Sequence, residues 1–331
     1  MSLKVIKAGI LDTIQDMGRY GYQQLGINPN GAMDKYAMQI ANALVGNDLQ
    51  EAVIELHFPG SVFRFTQPTL IALSGADFSP SINGVPVPLH HCIAVNKKDE
   101  LQFNKPVSGA RAYIAVHGGL EIKEWLQSSS TNLKAGAGGF QGRNLYKNDE
   151  LLLKSKNEIY YLLHDNDFKI LPWFAGFAAN ENSQEIFFLP GNEWEWLTEE
   201  SKTIFTTTPF VITEQSDRMG YRLGNTPLIT LTNEEVVSSA VGFGTIQLLP
   251  DGKLIVLMAD HQTTGGYPRV AHVITAHQSR LAQMKTGDEI WFRLTDHQTA
   301  EELLVKQQQH LLQLQNACIF RLQEYLHANR Y

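Results

Sequence analysis

The pattern of apolar and polar positions is dominated by short strand-like runs. Val53 to Phe58, Val62 to Thr66, Thr69 to Leu73, Ala110 to Val116, Glu185 to Leu189, Phe210 to Glu214 and Leu254 to Met258 are β-rich and separated by Gly, Pro, Asn and Asp, which predicts strands. Asn83-Gly84 and Pro250-Asp251-Gly252 are hairpin-type turn signals, the second between the runs 244–249 and 253–258. Helical spacing is confined to three places. Asp34 is a natural N-cap, Ala37, Ile40, Ala41 and Leu44 follow at helical spacing, and Gly46 supplies the stop. A second helix is expected to begin near Asn192 and to run through Glu193 and Leu197 towards Lys202. A third occupies the tail from about Asp296 to Ala328, where Leu304, Leu311, Cys318 and Tyr325 repeat every seven residues amid seven glutamines, a face for its own barrel or for another chain.

Composition adds bounds. The 331 residues are 43% apolar and 18% charged, enough for two or three domains with ample core. Lys and Arg number 27 against 34 Asp and Glu, a net charge of -7, and no basic run exceeds a pair, which argues against nucleic acid or an anionic membrane as partner. A small molecule or another protein is the expected partner. No apolar run approaches the roughly 18 residues of a membrane span, and the start lacks a signal-peptide pattern, so a cytoplasmic location is expected. Cys92 and Cys318 show no disulfide or zinc spacing and read as buried thiols.

The chain also echoes itself. Asp16-Met-Gly-Arg-Tyr-Gly-Tyr22 is answered by Asp217-Arg-Met-Gly-Tyr-Arg-Leu223, Ala76-Asp77 by Ala259-Asp260, and Asp99-Glu100-Leu101 by Asp288-Glu289-Ile290. Three features in the same order suggest duplication of one β-rich module, with the boundary between Leu153 and Phe188. A further Asp-Glu-Leu at 149–151 marks the last echo as a generic turn-to-strand signal.

Common catalytic templates are missing. Gly136-Ala-Gly-Gly-Phe-Gln-Gly142 misses the dinucleotide-loop spacing by one and precedes no helix, so it reads as a flexible or substrate-covering loop. No Gly-x-Ser-x-Gly, His-Glu-x-x-His or Gly-Lys-Ser/Thr occurs. His261, His272 and His277 match no metal spacing, and no metal is expected.

Four polar constellations remain. Gln15-Asp16-Met-Gly18-Arg19-Tyr-Gly21-Tyr22 can present Arg19 from a tight turn to a carboxylate or carbonyl, or can hold an Asp16–Arg19 pair. Gly31-Ala-Met-Asp34, followed by Asn42 and Gly46-Asn47, opens the first helix; Asp34 is a cap, or Asp34 or Asn42 faces a ligand there. Ser216-Asp-Arg218-Met-Gly-Tyr-Arg222 repeats the Arg-and-Gly logic. Gly244-Thr-Ile-Gln247 with Asp260-His-Gln262-Thr-Thr264-Gly265-Gly266-Tyr267 brings a strand into a dense polar, glycine-rich turn where donors can approach a substrate.

These motifs, in this order, resemble the biotin-dependent carboxyltransferase domain proteins: allophanate hydrolase subunit 2-like proteins, the KipI antagonist KipA and the C-subunit of 5-oxoprolinase. The resemblance covers roughly residues 3 to 295, and Ser74-Gly-Ala-Asp77 and Ala41-Asn42 to Asn47 belong to it. It implies a mainly β fold of two tandem cyclophilin-like β-barrels, over 1–155 and 156–295, with few short helices and a helical, Gln-rich tail over 296–331. One departure is Leu126-Gln-Ser-Ser-Ser-Thr131, where the family's usual Leu-Gly-Ser-Arg-Ser-Thr would put an arginine at Ser129; Gly142-Arg143 persists.

The resemblance further implies a subunit, inactive alone, of an ATP-dependent 5-oxoprolinase complex that converts 5-oxoproline to glutamate. Its expected partners are an allophanate hydrolase subunit 1- or KipI-like chain and a third, lactam-utilisation subunit. No covalent cofactor is expected, and ATP is used by the complex. The alternatives are a biotin-dependent urea or amide carboxyltransferase component, with biotin carried by another subunit, and a non-catalytic KipA-like antagonist of a sensor-kinase inhibitor. Such activities share an amide N–C=O. Asp260, Asp34 and Gln247 are the candidate catalytic groups, and Arg19, Asn42, Arg218, Arg222, Gln262, Thr264, Gly265, Gly266 and Tyr267 the candidate substrate-binding groups.

Overall fold

A computed structural model of the protein describes residues 2–154, 168–176, 184–232 and 234–328. The expected division at 155/156 lies outside the described residues. Contacts divide the chain into two units, one of residues 1–18, 34–177 and 308–331 and one of residues 19–33 and 178–307.

The first unit holds β1 (Ser2–Lys7), β2 (Thr13–Gln15), α1 (Lys35–Leu44), β3 (Val53–Leu56), β4 (Val62–Phe65), β5 (Thr69–Asp77), β6 (Pro80–Ile82), β7 (Val85–Pro86), β8 (His91–Val95), β9 (Glu100–Phe103), β10 (Ser108–Val116), β11 (Glu150–Leu152) and β12 (Lys169–Phe174). They form two six-stranded sheets, β11-β1-β4-β9-β6-β7 and β12-β8-β5-β10-β3-β2. Strand alternation explains the layering. Leu3, Phe63, Ile54, Leu73 and Ile114 project into one core shared by both sheets. Glu55, Tyr113 and Ser74, paired in register across β3, β10 and β5, face the other way, where α1 packs. The Asn83-Gly84 hairpin forms as its sequence requires, with φ of 52° and 81° at its two central residues.

The second unit holds β13 (Glu185–Pro190), α2 (Glu199–Thr207), β14 (Phe210–Ile212), β15 (Gly220–Gly224), β16 (Ser239–Ala240), β17 (Thr245–Leu248), β18 (Leu254–Leu257), β19 (Thr264–Gly265), β20 (Arg269–Val273), α3 (Thr275–Ala282) and β21 (Glu289–Leu294). Seven strands close a barrel in the order β13-β20-β17-β18-β15-β14-β21, and β16 pairs with β19 apart from it. Phe188, Phe205, Phe210 and Phe292 pack in tilted and edge contacts at its centre, with ring centroids 4.9–6.2 Å apart. The expected helix from Asn192 is corrected: Trp194–Trp196 is a single 3-10 turn, and α2 starts only after Thr198, whose hydroxyl accepts the Ser201 N–H at 3.1 Å.

The tail is one helix, α4 (His297–Ala328), started by Asp296, which accepts the Thr299 N–H at 2.8 Å. From Gln308 onward it belongs to the first unit. There Leu311, Cys318 and Leu322 are buried, Leu322 lies against Gly46, Tyr36 bonds His310 at 2.6 Å, and Tyr325 meets Trp173 edge-on. Of the two expected roles for the tail, packing on its own unit is the one found. Among the described residues no helix is long and apolar enough to cross a membrane.

Candidate functional site

Several polar groups of the first unit are consumed by architecture. Asp34 caps α1, its Oδ1 accepting the Ala37 N–H at 2.9 Å, while its own N–H donates to the Tyr113 hydroxyl at 2.8 Å. That hydroxyl donates to Glu55 at 2.9 Å, so three residues wholly or almost wholly buried form one chain. Burial, together with the nearby Glu55 and Asp34 carboxylates, drives the Tyr113 phenol well above its ordinary pKa. Asn42, fully buried, donates to the Glu51 carbonyl at 2.7 Å and accepts from Asn47 at 3.1 Å, and Asn47 in turn holds the Val116 carbonyl and the Gly118 N–H. The Asn42 carboxamide is thus engaged by the fold: it holds the Glu51 carbonyl and, through Asn47, joins the end of α1 to β10.

Asp16 has a similar fate. Its carboxylate accepts from Gly18 N–H, from the Ser128 hydroxyl at 2.8 Å, from the Ser129 N–H at 2.5 Å and from the Ser130 hydroxyl. Position 129 thus contributes its backbone rather than a side-chain cation. Arg143 is held by Asp149 through two bonds of 2.7 and 2.9 Å and lies over the Tyr146 ring, which fixes the turn into β11. The glycine loop at 136–142 closes on itself: a Cβ at Gly142 would lie 2.0 Å from the Gly136 carbonyl oxygen, and one at Gly139 would strike Thr131. Close approach thus requires glycine at 139 and 142, while residues 133 to 136 are exposed.

The second unit gathers more of the expected groups. Arg218 grips Asp260 with Nε on Oδ2 at 3.0 Å and Nη2 on Oδ1 at 3.2 Å, and Nη2 also donates to the Gly31 carbonyl at 2.7 Å. Asn30 donates to Asp260 Oδ1 at 2.7 Å and accepts from Arg19 at 2.5 Å; Asn28 donates to the Asp260 carbonyl at 3.0 Å. The sequence 19–33 therefore supplies half of this frame. Arg19 is 1% exposed and Arg218 7%, so both guanidinium groups are tied into the fold. Asn28 and Asn30 were not among the expected site residues; the signal was Asn28-Pro-Asn-Gly31, a turn run in which Asn30 takes φ 55°.

A second cluster lies on the outer face of the barrel. Arg222, Ile255 and Gln247 sit in register on β15, β18 and β17, pointing away from the core formed by Tyr221, Val256 and Ile246. They line a cleft of about 470 Å³ with Gln262, Tyr267 and the turn residues Asp217 and Asp251. Gln247 is 0% exposed, yet its amide makes only long contacts, 3.4 Å to the Tyr267 carbonyl and 3.5 Å from Gln262. Gly265 makes this closeness possible: a Cβ there would lie 2.4 Å from Gln247 Nε2. Thr264 and Gly265 form β19, and exposed Thr264, Gly266 and Tyr267 continue the same loop. Asp260, Arg218, Arg19, Thr264, Gly265 and Gly266 are not among the residues lining the cleft, so the expected single constellation resolves into a rigid ionic frame and an open cleft.

His277 accepts the Phe187 N–H at 2.9 Å, and burial, aided by Arg280, lowers its pKa to about 4. Among the described residues no group of three or more His, Cys, Asp or Glu is arranged to hold a metal ion.

Comparison with known proteins places this geometry. The chain is 36% identical over 313 residues to the C-subunit of 5-oxoprolinase from Escherichia coli K12, spanning 94% of this chain and 97% of that protein. It is 33% identical to the C-subunit of 5-oxoprolinase from Haemophilus influenzae, over 91% and 94% of the two chains. The crystal structure of the K. lactis urea amidolyase matches with a TM-score of 0.84 and 24% identity, covering 95% of this chain but 20% of that one, a likeness of fold. Residues 25–294 match the family model described as carboxyltransferase domain, subdomain A and B, and the chain belongs to that family.

Proposed function

We propose that this chain is a subunit, inactive by itself, of an ATP-dependent 5-oxoprolinase complex that hydrolyses the cyclic amide of 5-oxoproline to give glutamate. The observation that carries this reading is the near-complete two-way overlap with the Escherichia coli protein, 94% of this chain and 97% of that one. The urea amidolyase of Saccharomyces cerevisiae, by contrast, is matched over 18% of its length at 26% identity.

The chemistry of the residues supports an amide substrate. An amide needs an acceptor for its N–H and donors for its carbonyl oxygen. Asp260 accepts two bonds on Oδ1 and one on Oδ2, which leaves acceptor capacity on Oδ2 for a substrate N–H. Asp34 caps its helix at 3% exposure, whereas the Asp260 side chain is 14% exposed, so Asp260 is the acceptor a substrate reaches more readily. Gln247, loosely held, is the donor we assign to a carbonyl. In this reading the complex phosphorylates the lactam oxygen, and the activated ring is then hydrolysed. ATP is bound by another subunit, and the partners are a KipI-like chain and a lactam-utilisation chain.

The urea amidolyase relatives favour a second reading, a urea carboxyltransferase component working with biotin on another polypeptide. One reconstitution separates the two. The purified chain is combined with its two expected partner subunits, and glutamate formation from 5-oxoproline with ATP is followed beside carboxylation of urea in the presence of biotin carboxylase. Glutamate formation that requires this chain, and is lost in Asp260→Asn with the complex intact on gel filtration, is the expected result. Glutamate formation that persists when the chain is omitted overturns the assignment.

A further inference from the structure

The cleft on the outer face of the barrel has a polar group at each end and an apolar floor between them. Arg222 is exposed, and its guanidinium has no hydrogen-bond or ion-pair partner among the described residues. Gln247, at the other end, is buried but held only by contacts of 3.4 and 3.5 Å, which leaves donor and acceptor capacity on its carboxamide. Ile255 pairs in register with both residues and lies between them. Two interstrand spacings put the backbones of Arg222 and Gln247 about 10 Å apart. The reach of the two side chains leaves room for one small ring or a five-carbon chain over Ile255.

The carboxylates that share the cleft are engaged in their own turns. Asp217 Oδ1 accepts the N–H groups of Met219 and Gly220 at 2.7 and 3.2 Å, and Asp251 Oδ1 accepts that of Lys253 at 3.1 Å. Gly220 shapes the floor, since a Cβ there would lie 2.8 Å from Ile255 Cδ1. Arg222 is thus the available cation of the cleft, and a guanidinium suits a carboxylate held through two bonds.

We propose that this cleft recognises a small acid carrying a carboxylate at one end and an amide or acyl carbonyl at the other, and that Arg222 is its specificity-determining residue. The carboxylate meets Arg222 and the intervening methylenes cover Ile255; the carbonyl reaches Gln247, which is 0% exposed, by displacing its long contacts with Gln262 and Tyr267. The identity of the acid, 5-oxoproline or its ring-opened product glutamate, rests on the 5-oxoprolinase reading; the recognition chemistry does not. Urea lacks both the carboxylate and the methylenes and gains nothing from Arg222 or Ile255.

The test is calorimetric titration of the full chain with L-5-oxoproline, L-glutamate, pyrrolidin-2-one and urea, using wild type, Arg222→Ala and Arg222→Lys, with circular dichroism to verify folding. The expected result is binding of one or both acids at least about tenfold tighter than pyrrolidin-2-one or urea, weakened about tenfold or more in Arg222→Ala and less in Arg222→Lys. Whichever acid binds more tightly identifies the source of the ligand. Equal affinity of wild type and Arg222→Ala, absence of acid binding, or urea and pyrrolidin-2-one binding as tightly as the acids overturns the proposal. In the reconstituted complex Arg222→Ala is expected to raise KM for 5-oxoproline with little change in kcat. An unchanged KM in a complex that still requires this chain defeats this proposal alone, whereas glutamate formation without the chain defeats the functional assignment alone.

Discussion

The two units solve the same problem, where to put polar side chains on the non-core face of a sheet, in opposite ways. In the first, Glu55 and Tyr113 stand on β3 and β10 under α1 and are joined to the helix start through Asp34. In the second, Gln247 and Arg222 stand on β17 and β15 beside an open cleft, joined to their surroundings by long bonds or by none among the described residues. A covering helix favours hydrogen bonding beneath it, because an unpaired buried group is costly, and on this face the Ser74 hydroxyl is left without a partner among the described residues. The exposed Arg222 carries no such demand, and the buried Gln247 meets it only with long contacts, which leaves capacity for a ligand that displaces them. The echoed aspartates diverge in the same sense. Asp77 ends β5 by accepting the Ser79 N–H of its own turn at 2.7 Å, whereas Asp260, following β18, is clamped by Arg218.

The largest test of this contrast is Arg218→Ala. The side chains of Arg218 and Asp260 are 8% and 14% exposed, and removing one partner of a buried pair costs about 3–5 kcal/mol. We expect urea unfolding to show a loss of that order, and Asp260→Asn, which keeps a hydrogen-bonding group in place, to lose less. A loss below about 1 kcal/mol in Arg218→Ala would mean that the frame is a surface ion pair of ordinary weakness.

Next comes a paired comparison. Tyr113→Phe removes the hydroxyl that links the Asp34 N–H to the Glu55 carboxylate in the interior and is expected to cost about 2–3 kcal/mol. Gln247→Leu removes only long contacts, so a loss under about 1 kcal/mol is expected. Equal losses from chemical denaturation of the two variants would erase the distinction between a structural and an available polar group.

A third test uses pH. Burial raises the pKa of Asp12, in the first unit, to about 6 despite bonds from the Ser61 and His57 N–H groups. The folded state therefore holds this proton more tightly than the unfolded chain, and the Asp12 contribution falls as pH rises from about 4 to about 6. His277, in the second unit, has its pKa lowered by burial and by Arg280 to about 4, so its contribution is present above the unfolded value near 6.5 and is lost as pH falls towards about 4. Unfolding free energies between pH 4 and 8 should show Asp12→Asn removing a downward slope with pH and His277→Gln removing an upward one. Slopes of the same sign would refute the assignment of either group.

Much of this was legible in the residues. Asp34, Gly46 and Asp296 mark helix ends at the expected places, because capping is local chemistry within one turn. The Asp-Glu pairs at 99, 149 and 288 share a local cause. Asp99, Asp149 and Asp288 each accept the N–H three residues earlier, at 2.7, 2.7 and 2.9 Å, and each donates its own N–H back to that residue's carbonyl. That is one turn device used three times. The late start of α2 was also written in the chain, as Thr198 followed by two acids, but the tryptophans ahead of it drew the helix too early. The frame around Asp260 was less legible. Asn28 and Asn30 reach it from more than 200 positions away in sequence, and no local pattern announces a contact so distant. Nor could spacing show that Gln247 and Arg222 share an outer face, which depends on the register of both with Ile255.

The smallest expected effect is also the sharpest. In Gly265→Ala the new methyl would lie 2.4 Å from Gln247 Nε2 and 3.3 Å from Val241 Cγ1, both side-chain atoms, and Gly265 is not at a positive φ. The fold therefore relaxes by moving the end of one glutamine, and a stability loss under about 1 kcal/mol is expected. In the first unit, Gly142→Ala sets a methyl against the Gly136 carbonyl at φ 70°, where neither the backbone nor the dihedral can yield cheaply, and a larger loss is expected. The readout that separates the two is ligand binding. If Gln247 is a recognition group, Gly265→Ala weakens acid binding by calorimetry several-fold at nearly unchanged stability, because it displaces that carboxamide. Unchanged binding would return Gln247 to the role its counterparts play in the first unit, a buried polar group that only holds the fold.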